Sequence, residues 1–319
     1  MLSADAADAL RGHAVSRRAT PLVDEEHFRL ITGFNDIFVV IACLLLLVSV
    51  AWIGSAVLPA AGHLGMAASA WLLAEFFVRK RHMALPAIVL LVAFVSGLVM
   101  AVLSLETALE PNTLYLAAAS VLGAVGAWLH WRRFRVPITV AAGLAAGVCA
   151  VWALLFRAVP TLVYWLPLVV WVSGVLVFAV ALRWDASDTL RRTRRADVAF
   201  WLHLLAAPLL VHPVFISLVS SQHDVAAWQA ALVLLVYAVI AIVSLVLDRR
   251  ALMVSALGYV LYTFGSLLKQ HGNVSLGFSI TALVIGAVLL LLSAFWHPAR
   301  AALLRQLPVR MHRYIAPLQ

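Results

Sequence analysis

Charge is what this chain has least of. Asp, Glu, Lys and Arg make up 12% of its 319 residues while hydrophobic residues reach 65%, against roughly 25% and 45–50% in soluble domains. A soluble globular fold is excluded on that ground. Cysteine is nearly absent: Cys43 and Cys149 both stand inside apolar runs, so neither a disulfide framework nor a thiolate metal site is implied. The chain also lacks a P-loop, G-x-S-x-G, H-E-x-x-H and C-x-x-C. These absences argue against an ATPase and against the common hydrolase, zinc-protease and redox classes, and no cofactor is expected. The first thirty residues hold five acidic and four basic side chains and no early apolar core. No cleavable signal peptide is therefore expected, and the first spanning helix directs insertion.

What is present is apolar sequence in spanning lengths. One crossing uses roughly 20 residues. Ten stretches of about that size, bounded by charge, Pro or Asn/Gly breaks, run near 36–57, 61–78, 83–104, 114–130, 137–156, 161–182, 198–219, 226–247, 251–269 and 275–296. The expected fold is an all-α polytopic membrane protein, its ten helices arranged as five hairpins with short loops. Residues 1–32 are expected as a cytoplasmic segment with a short surface helix opened by Thr20-Pro21, 33–296 as the transmembrane domain, and 297–319 as a basic amphipathic cytoplasmic tail resting on anionic headgroups.

The net charge of +9 is a property of loops. A basic surface for nucleic acid would neutralise phosphates along one face, whereas here Lys and Arg come as short clusters between apolar runs. With the N-terminus inside, 21 of 23 basic residues fall on the inner side, leaving only Arg157 and Lys269 outside. Both termini are thus expected in the cytoplasm, in a bacterial inner membrane. The clusters recur near residues 80, 133, 192, 249 and 302, a spacing that fits either internal duplication or any up-and-down bundle with short loops. The longest inner loop, 183–197, reads as a solvated basic connector. In helix count and orientation the chain is similar to the ten-helix drug/metabolite exporters, a resemblance that implies a permease architecture and carries no motif.

Ionisable groups inside lipid are costly and become functional candidates. Asp36 opens the first helix, Glu75 lies in the second, and His203 and His212 lie in the seventh. Nine residues at about 100° each put the two histidines on opposite faces, so they cannot share a metal ion. Asp36, Glu75 and His203 could converge if helices one, two and seven are neighbours, forming a proton-responsive polar site. The alternative has Asn35-Asp36 capping the first helix, Glu75 pairing with Arg79, and His203 bonding a backbone carbonyl. His130 reads as interfacial. Pro208 and Pro213 remove backbone donors in the seventh helix and predict a kink or break lining a cavity. Gly143 and Gly147, with Gly123 and Gly126, read as close-packing positions. Trp71, Trp128, Trp165 and Trp296 stand near helix ends, as an interfacial belt requires.

Three function classes follow. A small permease or exporter would use the seventh helix and its polar neighbours to pass a small-molecule substrate. A membrane scaffold would use them structurally and bind a partner through its amphipathic ends. A membrane enzyme or haem protein would draw axial ligands from His63, His130, His203 and His212.

Overall fold

The computed structural model of the chain describes residues 34–106, 113–219, 227–249 and 295–306, with single positions between 283 and 294. The expected N-terminal surface helix, the ninth span, most of the tenth and the tail beyond 306 lie outside the described residues. Among the described residues every regular element is helical. The helices are α1 (Phe34–Ser55), α2 (Pro59–Ala74), α3 (Ala84–Leu103), α4 (Thr113–Phe134), α5 (Ile138–Ala158), α6 (Leu166–Ala186), α7 (Arg194–Val219), α8 (Ala227–Leu247) and α9 (Trp296–Leu304). Seven of them, with their flanking turns, are long and apolar enough to cross a membrane, so the chain is a multi-pass membrane protein.

The ends follow local chemistry. Pro59 starts α2 at its first turn after the extended Leu58, where a missing N–H is harmless. Pro160 opens a 3-10 turn, Pro160–Trp165, that leads into α6. The second helix continues past Ala74 as a π-helical turn, Glu75–Lys80, which apolar periodicity does not reveal. Four inter-helix turns contain a non-glycine residue in the left-handed region: His82 (φ 54°), Arg135 (φ 57°), Arg191 (φ 50°) and Asp248 (φ 55°). Each follows an even-numbered helix. Glycine usually takes such a position because a Cβ is strained there, so the side chains at these four turns have other work.

Packing is sequential. α1, α2 and α3 pack together; α4 packs on α3 and α5; α7 packs mainly on α6 and α5; and α8 joins α7 and α9. More than half of the buried apolar residues are alanine, among them Ala70, Ala119, Ala181 and Ala207. The large apolar side chains point outward instead, with Leu45 66%, Trp52 79%, Tyr164 84% and Leu176 63% exposed. This is the pattern of a bundle in lipid, where helices meet through small residues and the large ones face hydrocarbon. Among the described residues the tightest approach is at Gly62 of α2, where a Cβ would meet Ser55 Oγ and the Ala51 carbonyl of α1 at 2.1 and 2.3 Å; Cβ atoms on Gly123 and Gly126 would meet Val99 and Leu98 of α3 at 2.8 and 2.4 Å, whereas nothing lies within 4 Å of a Cβ on Gly147. The Gly123/Gly126 face of the fourth helix is thus set against α3, while Gly143 of α5 would bring a Cβ to 3.3 Å from Ala127 and only Gly147 stands in open space.

α7 runs unbroken through Pro208 and Pro213. Of the kink or break expected there, the break is absent, and a close neighbour packs at that point. A Cβ on Gly174 of α6 would stand 2.9 Å from the Leu209 carbonyl carbon, beside the carbonyl whose helical donor Pro213 cannot supply.

Candidate functional site

Asp185, in the last turn of α6, is the centre of a buried charge cluster. Its Oδ2 receives two donors: His203 Nε2 of α7 at 2.9 Å and Arg249 Nε, just past α8, at 3.1 Å. Arg249 Nη2 also donates to Asp185 Oδ1 and reaches the Ala196 carbonyl at 3.3 Å. His203 is fully buried and Arg249 only 2% exposed. Because a carboxylate only accepts, Nε2 of His203 carries the proton. The other ring nitrogen, Nδ1, is buried and has no hydrogen-bond partner among the described residues. The ring of Phe178 packs edge-on against the imidazole at 5.3 Å. Three consecutive helices, α6, α7 and α8, are thereby tied through one carboxylate.

A second network lies beside the first. Arg191 Nη1 donates to Asp248 Oδ2 at 3.0 Å and its Nη2 to the Asp248 carbonyl at 2.9 Å. Trp296 Nε1 donates to Asp248 Oδ1 at 2.8 Å, and Arg300 lies 3.8 Å from the same oxygen. Burial alone would raise the Asp248 carboxyl, but the Trp296 hydrogen bond and the charges of Arg191, Arg300 and His297 outweigh it and hold the group below its ordinary range. The left-handed backbone at Arg191 and Asp248 turns both side chains inward. This corrects two expectations. The 183–197 connector is not simply solvated, since Arg191 is 3% exposed, and Trp296, expected in the aromatic belt, is buried with its indole N–H donating to the Asp248 carboxylate.

Below the Asp185 cluster lies an apolar cavity of about 330 Å³, walled by Trp171 and Phe178 of α6, Ala207 and Leu210 of α7, and Val239 and Val243 of α8. Phe178 is common to both. The cavity's walls are the three helices that Asp185, His203 and Arg249 join.

The other sequence candidates occupy separate places. Asp36 is 3% exposed in the first turn of α1. Glu75 pairs with Arg79 at 3.2 Å, as its spacing predicts, and also accepts from Arg133 of α4 at 2.6 and 3.0 Å. Glu75 and His203 therefore serve different partners, and α1 and α2 pack mainly with α3 while α7 packs with α5, α6 and α8. His212 is exposed on the face opposite His203. Pro208 is exposed and Pro213 buried within the continuous α7. His130 is fully buried, not interfacial, and sits among Trp71, Phe94 and Phe134 with Nδ1 3.3 Å from Thr139 Oγ1. Among the described residues no three His, Cys, Asp or Glu side chains gather as metal ligands would.

Asp185, Arg249, Arg191 and Asp248 were not singled out by sequence. All four stand at helix ends, where a charge reads as a loop residue; the Leu-Asp-Arg-Arg run at 247–250 was the available signal. No family model matches the chain, and neither a curated protein nor a solved structure matches it.

Proposed function

We propose that the chain is a proton-linked permease for small lipophilic compounds, acting as a non-enzymatic transporter. It would cross a bacterial inner membrane ten times as five hairpins, with both termini in the cytoplasm. The observation that carries this reading is the shared oxygen: His203 Nε2 and Arg249 Nε both donate to Asp185 Oδ2, and Phe178, packed on the His203 ring, also walls an apolar cavity lined by the same three helices and open on one side.

The coupling is electrostatic. A proton taken at the bare Nδ1 of His203 makes the imidazole a cation and strengthens its bond to Asp185. Arg249 then competes for an oxygen held more tightly by another donor. Its hold on α6 weakens, and the end of α8 gains freedom to move away from α6 and α7. The cavity between them opens, and release of the proton restores the pairing. The apolar lining supplies no hydrogen bond to a polar substrate, which favours a lipophilic one. The inward bias of 21 of 23 basic residues supports the orientation, and anionic headgroups would meet that face.

Proteoliposomes loaded with a pH-sensitive dye and challenged with lipophilic fluorophores test this. Wild-type protein should move protons together with at least one fluorophore, and His203→Ala should abolish both fluxes while its melting profile still shows a folded protein. Unchanged flux in folded His203→Ala would overturn the site. One observation favours a scaffold as a second reading: Asp248 binds the base of α9 through Trp296 and Arg300, which would anchor a tail that docks a partner. A stoichiometric partner lost on deleting 307–319, without proton-linked flux, would favour it.

A further inference from the structure

A second cleft lies on the face that carries the basic turns, separate from the Asp185 cluster. Its volume is about 240 Å³, and it is formed where the α2–α3 turn, the α4–α5 turn and the first turn of α7 meet. Its charged lining is Arg135, Arg194 and Asp197, with His82 beside them. Its apolar lining includes Val78, Ile88, Ile138 and Trp201, all within spanning helices. The cleft is thus polar at the turns and apolar toward the membrane.

The charges in it are incompletely used. Arg194 Nη1 donates to the Arg135 carbonyl at 3.3 Å, which bridges the cleft wall and leaves the remaining donors of its fork. The Arg135 guanidinium lies 5.9 Å from the Trp131 ring centroid. Among the described residues neither arginine forms a salt bridge with a carboxylate, and Asp197 forms no salt bridge. Asp197 is half-buried and feels the charges of Arg249 and Arg194 without a salt bridge to either, so a ligand carrying both charges suits the cleft better than a plain anion. The left-handed backbone of His82 and Arg135 (φ 54° and 57°) places both residues on the cleft where a glycine would leave it uncharged.

We propose that this cleft binds the headgroup of phosphatidylethanolamine, with the phosphate on Arg135 and Arg194 and the ammonium on Asp197. A guanidinium fork suits phosphate oxygens, and an ammonium gives Asp197 the charge-assisted donor it lacks. The apolar lining continues toward the acyl chains, which selects a lipid over a free phosphoethanolamine. Phosphatidylglycerol offers the phosphate without the cation, so it binds more weakly here.

The test uses the full chain, stripped of lipid in detergent and titrated with dioleoyl phosphatidylethanolamine, dioleoyl phosphatidylglycerol or soluble glycerophosphoethanolamine, with bound lipid counted by native mass spectrometry. Wild-type protein should prefer the ethanolamine lipid by about tenfold over the glycerol lipid. Asp197→Asn should erase that preference, and Arg194→Gln should weaken both lipids, while Asp197→Glu and Arg194→Lys retain part of each effect. A photoactivatable ethanolamine lipid should label residues 82–88 or 134–138 in wild-type protein, which keeps the proposal testable should a variant fail to fold. Equal binding of the two lipids, labelling elsewhere, or an affinity for the soluble headgroup equal to that of the lipid would each overturn it.

Discussion

At the scale of single residues, the molecule's unusual feature is that its buried charges meet in pairs and triples rather than alone. Removing one partner of a buried ion pair leaves the other charged and desolvated, at a cost of about 3–5 kcal/mol. Asp185→Asn should therefore lower stability by that order, through the stranded Arg249 as much as through His203. A double-mutant cycle of Asp185→Asn with His203→Ala, read by thermal unfolding in detergent, should show strong coupling, because the two side chains share a hydrogen bond; additive effects would contradict it. Asp248 gives a pH signature. Its folded pKa lies below its ordinary 3.8, so its contribution is fully present above that value and is lost as pH falls through the folded one. Wild-type stability should decline on acidification below about pH 4 by more than that of Asp248→Asn, which starts lower at neutral pH; parallel declines would refute the pairing. His203 was visible in the sequence because a histidine deep in an apolar run is conspicuous. Its partner was not, because Asp185 stands at a helix end, where an acidic residue is ordinary.

At the scale of elements, seven spans were readable because lipid demands long uninterrupted apolar runs and charge marks their ends. Two features were not. The π turn at Glu75–Lys80 leaves no trace in hydropathy, and the four left-handed turns carry His, Arg, Arg and Asp where a signal would have needed glycine. The continuous α7 shows why proline alone does not dictate a break: its neighbour packs against the exposed carbonyl. Gly174 makes that approach possible. Gly174→Ala should destabilise the bundle, since its Cβ would lie 2.9 Å from backbone atoms of α7. Gly147→Ala, with nothing within 4 Å, should instead stabilise by about 0.5–1 kcal/mol through helix propensity. An unchanged or raised melting temperature for Gly174→Ala would show that the Gly174 contact does not set the α6–α7 distance.

Across the whole molecule, the arginines that encode orientation are not one population. Insertion counts basic residues near helix ends before the bundle has formed, so Arg191 and Arg192 weigh alike at that stage. The folded protein separates them: Arg191 is buried against Asp248, while Arg192 and Arg195 are exposed. On the proposed orientation, one set of charges would thread the chain and, in part, lock the turn faces of α6, α8 and α9 together through Asp248. The two duties can be distinguished. Arg192→Gln with Arg195→Gln should change folded stability by at most about 0.5 kcal/mol, because exposed charges contribute little, whereas Arg191→Gln should cost about 3–5 kcal/mol by stranding Asp248. Reporter fusions after residue 306 should show the same orientation in all three proteins, since the remaining clusters outvote any one turn. Equal losses of stability in the exposed and buried variants would mean that Arg191 contributes only through the charge of its loop.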